Sequence, residues 1–121
     1  MRALLNWQRV LVTGYSMTPT LLPGDWLLVR HGVPVRGGDL VLGRFRDQPD
    51  LLVVKRALRP VDGGWLLGSD NPRAGSDSRQ RGVAEVSGVV VRTWPRGPGR
   101  PPVPVVTRWL GRPPPAAPDG L

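Results

Sequence analysis

Gly14-Tyr15-Ser16-Met17-Thr18-Pro19-Thr20, followed at once by Leu21-Leu22-Pro23-Gly24-Asp25-Trp26-Leu27-Leu28-Val29, is the stretch around which the 121-residue chain is organised. A small polar residue stands between a glycine and a proline-containing turn. After the turn comes an apolar run that reads as a buried strand. The layout holds one hydroxyl, that of Ser16, at the edge of a sheet. A hydroxyl of this kind is a weak nucleophile unless a neighbouring base takes its proton.

The candidate base emerges by elimination. The chain has no cysteine, which excludes a thiolate nucleophile and disulfides. The one histidine, His31, falls in a Gly/Pro-bounded turn. Of the 17 basic residues a single one is lysine, Lys55, in Leu51-Leu52-Val53-Val54-Lys55-Arg56-Ala57-Leu58. Arginine keeps its proton at any workable pH, whereas a desolvated lysine gives it up. Strand alternation sets Leu51, Val53, Lys55 and Ala57 on one face. If that face is covered, burial disfavours the ammonium and favours the neutral amine that can accept the proton of Ser16. A lysine in a strand is more commonly a solvated edge charge, and Ser16 is what makes the buried reading worth pursuing.

Outward from these two residues the chain reads as short strands punctuated by Gly, Pro and Asp. Expected strands cover residues 10–13, 26–30, 40–45, 51–58, 65–68 and 83–93, with one helical turn near Met17. No long helical period is present. The expected fold is therefore mainly β, a barrel or sandwich of short strands. Residues 69–79 form a polar loop rich in Asp, Asn and Ser. From Pro95 onward the 27 residues contain nine prolines and four glycines. Residues 1–94 are thus expected to form the catalytic domain and residues 95–121 a flexible Pro/Arg-rich tail, with 103–110 as its one apolar patch.

Composition bounds the partners. The formal charge of +8 suits polyanions or an anionic surface, but the arginines are spread along the chain and no nucleic-acid-binding signature accompanies them. Nucleic acid is therefore not expected as a partner. No apolar run approaches the roughly 20 residues that span a bilayer, and residues 1–12 lack the apolar stretch of a secretory signal. Contact with a membrane surface through Leu4, Leu5 and Trp7 stays open, beside a simple packed arm. No cofactor is expected. The scattered carboxylates and single histidine suggest no metal site. Oligomeric state is not legible.

Four motifs in order complete the reading. They are Ser16-Met17-Thr18-Pro19-Thr20, Pro23-Gly24-Asp25, Val54-Lys55-Arg56, and Asp70-Asn71 continuing to Asp77-Ser78-Arg79-Gln80-Arg81-Gly82-Val83. Together, over residues 11–94, they resemble the type I signal peptidase family of serine proteases. The small size, the Gly-Tyr-Ser-Met start and the Asp-Asn-Pro variant look most like the members that mature nickel-containing superoxide dismutase. The resemblance implies a signal-peptidase-like β fold and a serine-lysine dyad. Ser16 would be the nucleophile and its N–H an oxyanion donor. Lys55 would be the general base, and Asp77 and Arg79 a supporting pair. It implies a cytoplasmic endopeptidase that removes an N-terminal extension from a protein precursor. Leader cleavage at a membrane, self-cleavage of the repressor type and a non-catalytic basic β module are the alternatives.

Three positions depart from the family pattern. Gly14 stands where many members have a serine that donates to the oxyanion. Gly75 stands where many have a serine on the lysine, with Ser76 the expected substitute one place along. Ser69 is an insertion in what is usually Gly-Asp-Asn. Without Ser76, Lys55 is expected to lack an orienting hydroxyl.

Overall fold

The computed structural model describes residues 6–73 and 81–100. Among these residues six strands are formed in chain order: β1 Trp7–Leu11, β2 Trp26–His31, β3 Leu40–Phe45, β4 Val53–Val61, β5 Gly64–Gly68 and β6 Ala84–Trp94. They make one sheet in the order β1-β2-β6-β3-β4-β5, and every pairing is antiparallel. An additional pairing of Trp65 with Ala84 joins β5 back to β6. The part β6-β3-β4-β5 thereby closes on itself, and among the described residues β1 is the terminal strand. The mainly β expectation holds.

The strands form where the sequence alternates or runs apolar between turn residues. β4 and β5 are joined at Asp62-Gly63, both with positive φ (51° and 78°). That is the backbone a two-residue hairpin turn needs, because its twist matches that of the flanking strands. Observed ends differ from the expected ones at β1, which begins three residues earlier, and at β4, which starts at Val53 and runs to Val61. Trp7 pairs with Arg30 and its ring carries the Arg30 guanidinium 4.6 Å from the centroid. This stacking draws the start of the expected arm into the sheet. Residues 1–5, with Leu4 and Leu5, lie outside the described residues.

Two apolar clusters stabilise the sheet. One gathers Leu28, Val41, Phe45, Ala57, Leu67, Ala84, Val89 and Val91. The other gathers Met17, Leu21, Leu27, Val29, Leu40, Leu42 and Val90. The second matters for function, because Met17 and Leu21 belong to the turn that carries Ser16. Gly88 on β6 lets the sheet close tightly. A Cβ there would stand 2.6 Å from the Val29 side chain and 2.8 Å from the Arg30 carbonyl.

Asp25 ties the far end of the described chain to this core. Its side chain is 1% exposed. Oδ2 accepts from the Leu22 N–H at 2.9 Å and Oδ1 from the Arg96 N–H at 2.8 Å. The Arg100 guanidinium donates to both oxygens, at 2.7 and 2.8 Å. Residues 95–100 of the expected tail are therefore held against the domain, because a buried carboxylate must find donors. Residues 101–121 lie outside the described residues.

Candidate active site

The Ser16 turn is built by closing a loop at its base and burying one neighbour. The Val12 N–H donates to the Asp25 carbonyl at 2.9 Å and the Gly24 N–H to the Val12 carbonyl at 2.8 Å. Within the loop the Leu21 N–H reaches the Met17 carbonyl at 2.8 Å, which gives the single turn expected near Met17. Met17 is 2% exposed and Tyr15 is 64% exposed. Ser16 therefore sits at the boundary between core and solvent, where a hydroxyl is both fixed and reachable.

Lys55 is buried, at 3% exposure, on the inner part of β4 opposite Val41 of β3. Its Nζ donates to Ser69 Oγ at 2.8 Å. The expectation that Lys55 would lack a hydroxyl partner without Ser76 is overturned, because the inserted Ser69 supplies one among the described residues. The reason lies in the hairpin register. A bulge between Ala57 and Arg59 shifts the pairing so that Arg56 meets Gly68. Continuing one residue past Gly68 sets Ser69 opposite Lys55. Without the bulge that place would fall to Asp70.

The next two residues hold the nucleophile turn. Asp70 accepts from the Thr20 hydroxyl at 2.5 Å and from Arg56, with Nη2 to Oδ2 at 2.6 Å. Arg56 also donates to the Gly38 carbonyl at 2.9 Å. The Asn71 N–H donates to the Ser16 carbonyl at 2.9 Å. Asn71 Nδ2 donates to the Tyr15 carbonyl at 3.1 Å and to Thr18 Oγ1 at 2.9 Å. Three consecutive residues, Ser69-Asp70-Asn71, thus grip Lys55 on one side and the Ser16 turn on the other. Sequence reasoning placed Asp70 and Asn71 in a motif but assigned them no contact.

Ser16 and Lys55 line one cleft of about 340 Å3. One wall is the edge strand β1 with Gly14, and the other is residues 52–55. Met17, Leu21 and Leu42 also line it. Two of the lining residues, Leu11 and Leu52, are exposed apolar side chains. Gly14 is open, with no atom within 4 Å of a Cβ built there. His31 is held by Gln8 Oε1 at 2.7 Å and the Ser87 carbonyl at 3.1 Å and is not among the lining residues. Gly75, Ser76, Asp77 and Arg79 lie outside the described residues. Among the described residues no group of three or more His, Cys, Asp or Glu side chains is placed to hold a metal. Nor is any helix among them long and apolar enough to cross a membrane.

Such a cleft suits an extended peptide. Among the described residues β1 pairs with β2 alone, so it is the strand along which an extended peptide could add backbone hydrogen bonds, and apolar walls take side chains of alternate residues. Comparison with known families bears on what happens to it. The Peptidase S24-like family model matches residues 9–91, well over half of the chain. The chain belongs to the Peptidase S24-like family. The match runs from β1 through most of β6 and includes both Ser16 and Lys55. This S24-like membership supports a serine-peptidase type of function and agrees with the coarse resemblance to signal peptidases. No curated protein gives a significant match to the chain.

Burial raises the Asp70 carboxyl, but hydrogen bonds from Arg56 and Thr20 outweigh it and leave the group below its ordinary value of 3.8. For Asp25, burial is likewise outweighed, first by Arg100 and then by the Arg96 and Leu22 N–H groups. Both carboxylates are depressed in the folded state. Their contribution to stability is therefore complete above the ordinary value of 3.8 and is lost as pH falls through the lowered values. Urea midpoints are expected to fall steeply below that value, and Asp25→Asn should give a lower midpoint with a flatter acid limb. An acid limb unchanged by Asp25→Asn would contradict this.

Proposed function

We propose that the protein is a serine endopeptidase with a Ser16/Lys55 dyad. Ser16 Oγ attacks the scissile carbonyl and Lys55, neutral at rest, takes its proton. The same amine then protonates the departing amide nitrogen, and water releases the acyl group. The Ser16 N–H donates to the oxyanion, a contact whose loss typically costs about a hundred- to a thousandfold in rate. Gly14 contributes space rather than a second side-chain donor. Asp77 and Arg79 are proposed to support the loop beside the dyad. The observation that carries this reading is a serine at the mouth and the chain's one lysine, buried, on the same cleft.

The substrate is proposed to be a protein precursor with a removable N-terminal extension, nickel superoxide dismutase being the favoured one. The motif resemblance supports that choice. Purified protein incubated with this precursor is expected to give one new N-terminus by mass spectrometry, and Ser16→Ala none. Cleavage by Ser16→Ala would sink the dyad. A cut within the protease itself, at a rate independent of its concentration, would replace precursor processing by self-cleavage.

A further inference from the structure

We propose that Ser69 is the positioning residue for Lys55, its hydroxyl fixing the direction in which the amine presents its lone pair. This rests on the Ser16/Lys55 reading. A neutral amine carries two N–H groups and one lone pair, and rotation about Cε–Nζ exchanges their directions. Donation of one N–H to Ser69 Oγ at 2.8 Å removes most of that freedom. The hydroxyl is itself fixed. It follows the end of β5, and Asp70 and Asn71 immediately after it are bonded to Arg56, Thr20 and the Ser16 turn. One short segment therefore sets the base and the nucleophile in a common frame, as dyad chemistry requires.

Around this pair the charged groups of the packed elements, among the described residues, are Arg9 on the other wall of the cleft, Arg56 next on β4, and Asp70. Arg56 and Asp70 are paired with each other, their closest contact being 2.6 Å. Ser69 differs from them in meeting the amine as a neutral acceptor. An acceptor on the ammonium favours the charged form, so removing it lowers the titration midpoint.

The single lysine makes the test direct. Lysine labelled with 13C at Cε gives one side-chain resonance for the folded chain, that of Lys55. Ser69→Ala is expected to move its titration midpoint down in pH, and Ser69→Thr, which keeps the hydroxyl, to restore it. In parallel, Ser16-dependent hydrolysis of p-nitrophenyl butyrate should lose about tenfold or more in kcat in Ser69→Ala, with KM little changed. If Ser69→Ala does not fold, Ser69→Gly carries the same comparison. A midpoint that stays or rises, or a threonine variant that behaves like alanine, overturns the proposal. Hydrolysis that survives Ser16→Ala overturns the dyad and this proposal with it. Hydrolysis that needs Ser16 but ignores Ser69 overturns this proposal alone.

Discussion

Lys55→Arg is expected to lower the rate of precursor cleavage by about a thousandfold or more while the chain stays folded. Arginine keeps the positive charge and a similar length, so a role in charge or packing survives. What it lacks is a proton it can give up near neutral pH. The guanidinium must also fit a site that is 3% exposed and shaped for one amine. Thermal melting separates the two effects, since a folded but inactive chain points to the base and an unfolded one to packing. Lys55→Met then serves as the second variant, because it removes the charge from a buried site without adding volume. Both variants should be inactive, and substantial activity in either would remove Lys55 from the chemistry.

Asp25→Ala is expected to produce the largest loss of stability of any exposed-to-buried polar contact described above, roughly 3 kcal/mol or more. The substitution strands the Leu22 and Arg96 N–H groups and the Arg100 guanidinium around an emptied site. For a domain of this size that corresponds to a fall in Tm of roughly 10–20 °C. Arg100→Ala should cost less, because the two backbone donors remain on the carboxylate. Catalysis should suffer with stability in Asp25→Ala, since the lost carboxylate also holds the Leu22 N–H of the loop that presents Ser16. Calorimetry of the two variants checks the order, and an Arg100 variant less stable than the Asp25 variant would contradict it.

Much of this arrangement was legible before the fold was known. Strand spacing gave a mainly β chain, because turn residues and apolar runs follow from local chemistry. Ser16 and Lys55 stood out because each is unusual in its context, one between a glycine and prolines, the other alone among 16 arginines. Ser69 did not stand out. Its role depends on a bulge near Leu58 that shifts the hairpin by one residue, and nothing in Ala57-Leu58-Arg59 announces a bulge. The hold of Asp25 on Arg96 and Arg100 was hidden for a similar reason. A proline- and glycine-rich composition describes average tendency, and one buried carboxylate 71 residues upstream of Arg96 is enough to override it locally.

The dyad itself is tested most directly by trapping the acyl-enzyme. Wild type, Ser16→Ala and Lys55→Arg would be reacted with p-nitrophenyl butyrate, quenched in acid during the first turnover, digested and mapped by mass spectrometry. The account predicts a butyryl group on Ser16 in wild type, none on any residue in Ser16→Ala, and almost none in Lys55→Arg. A butyryl group on another hydroxyl, such as that of Ser69, or equal acylation of Ser16 in Lys55→Arg, would contradict it.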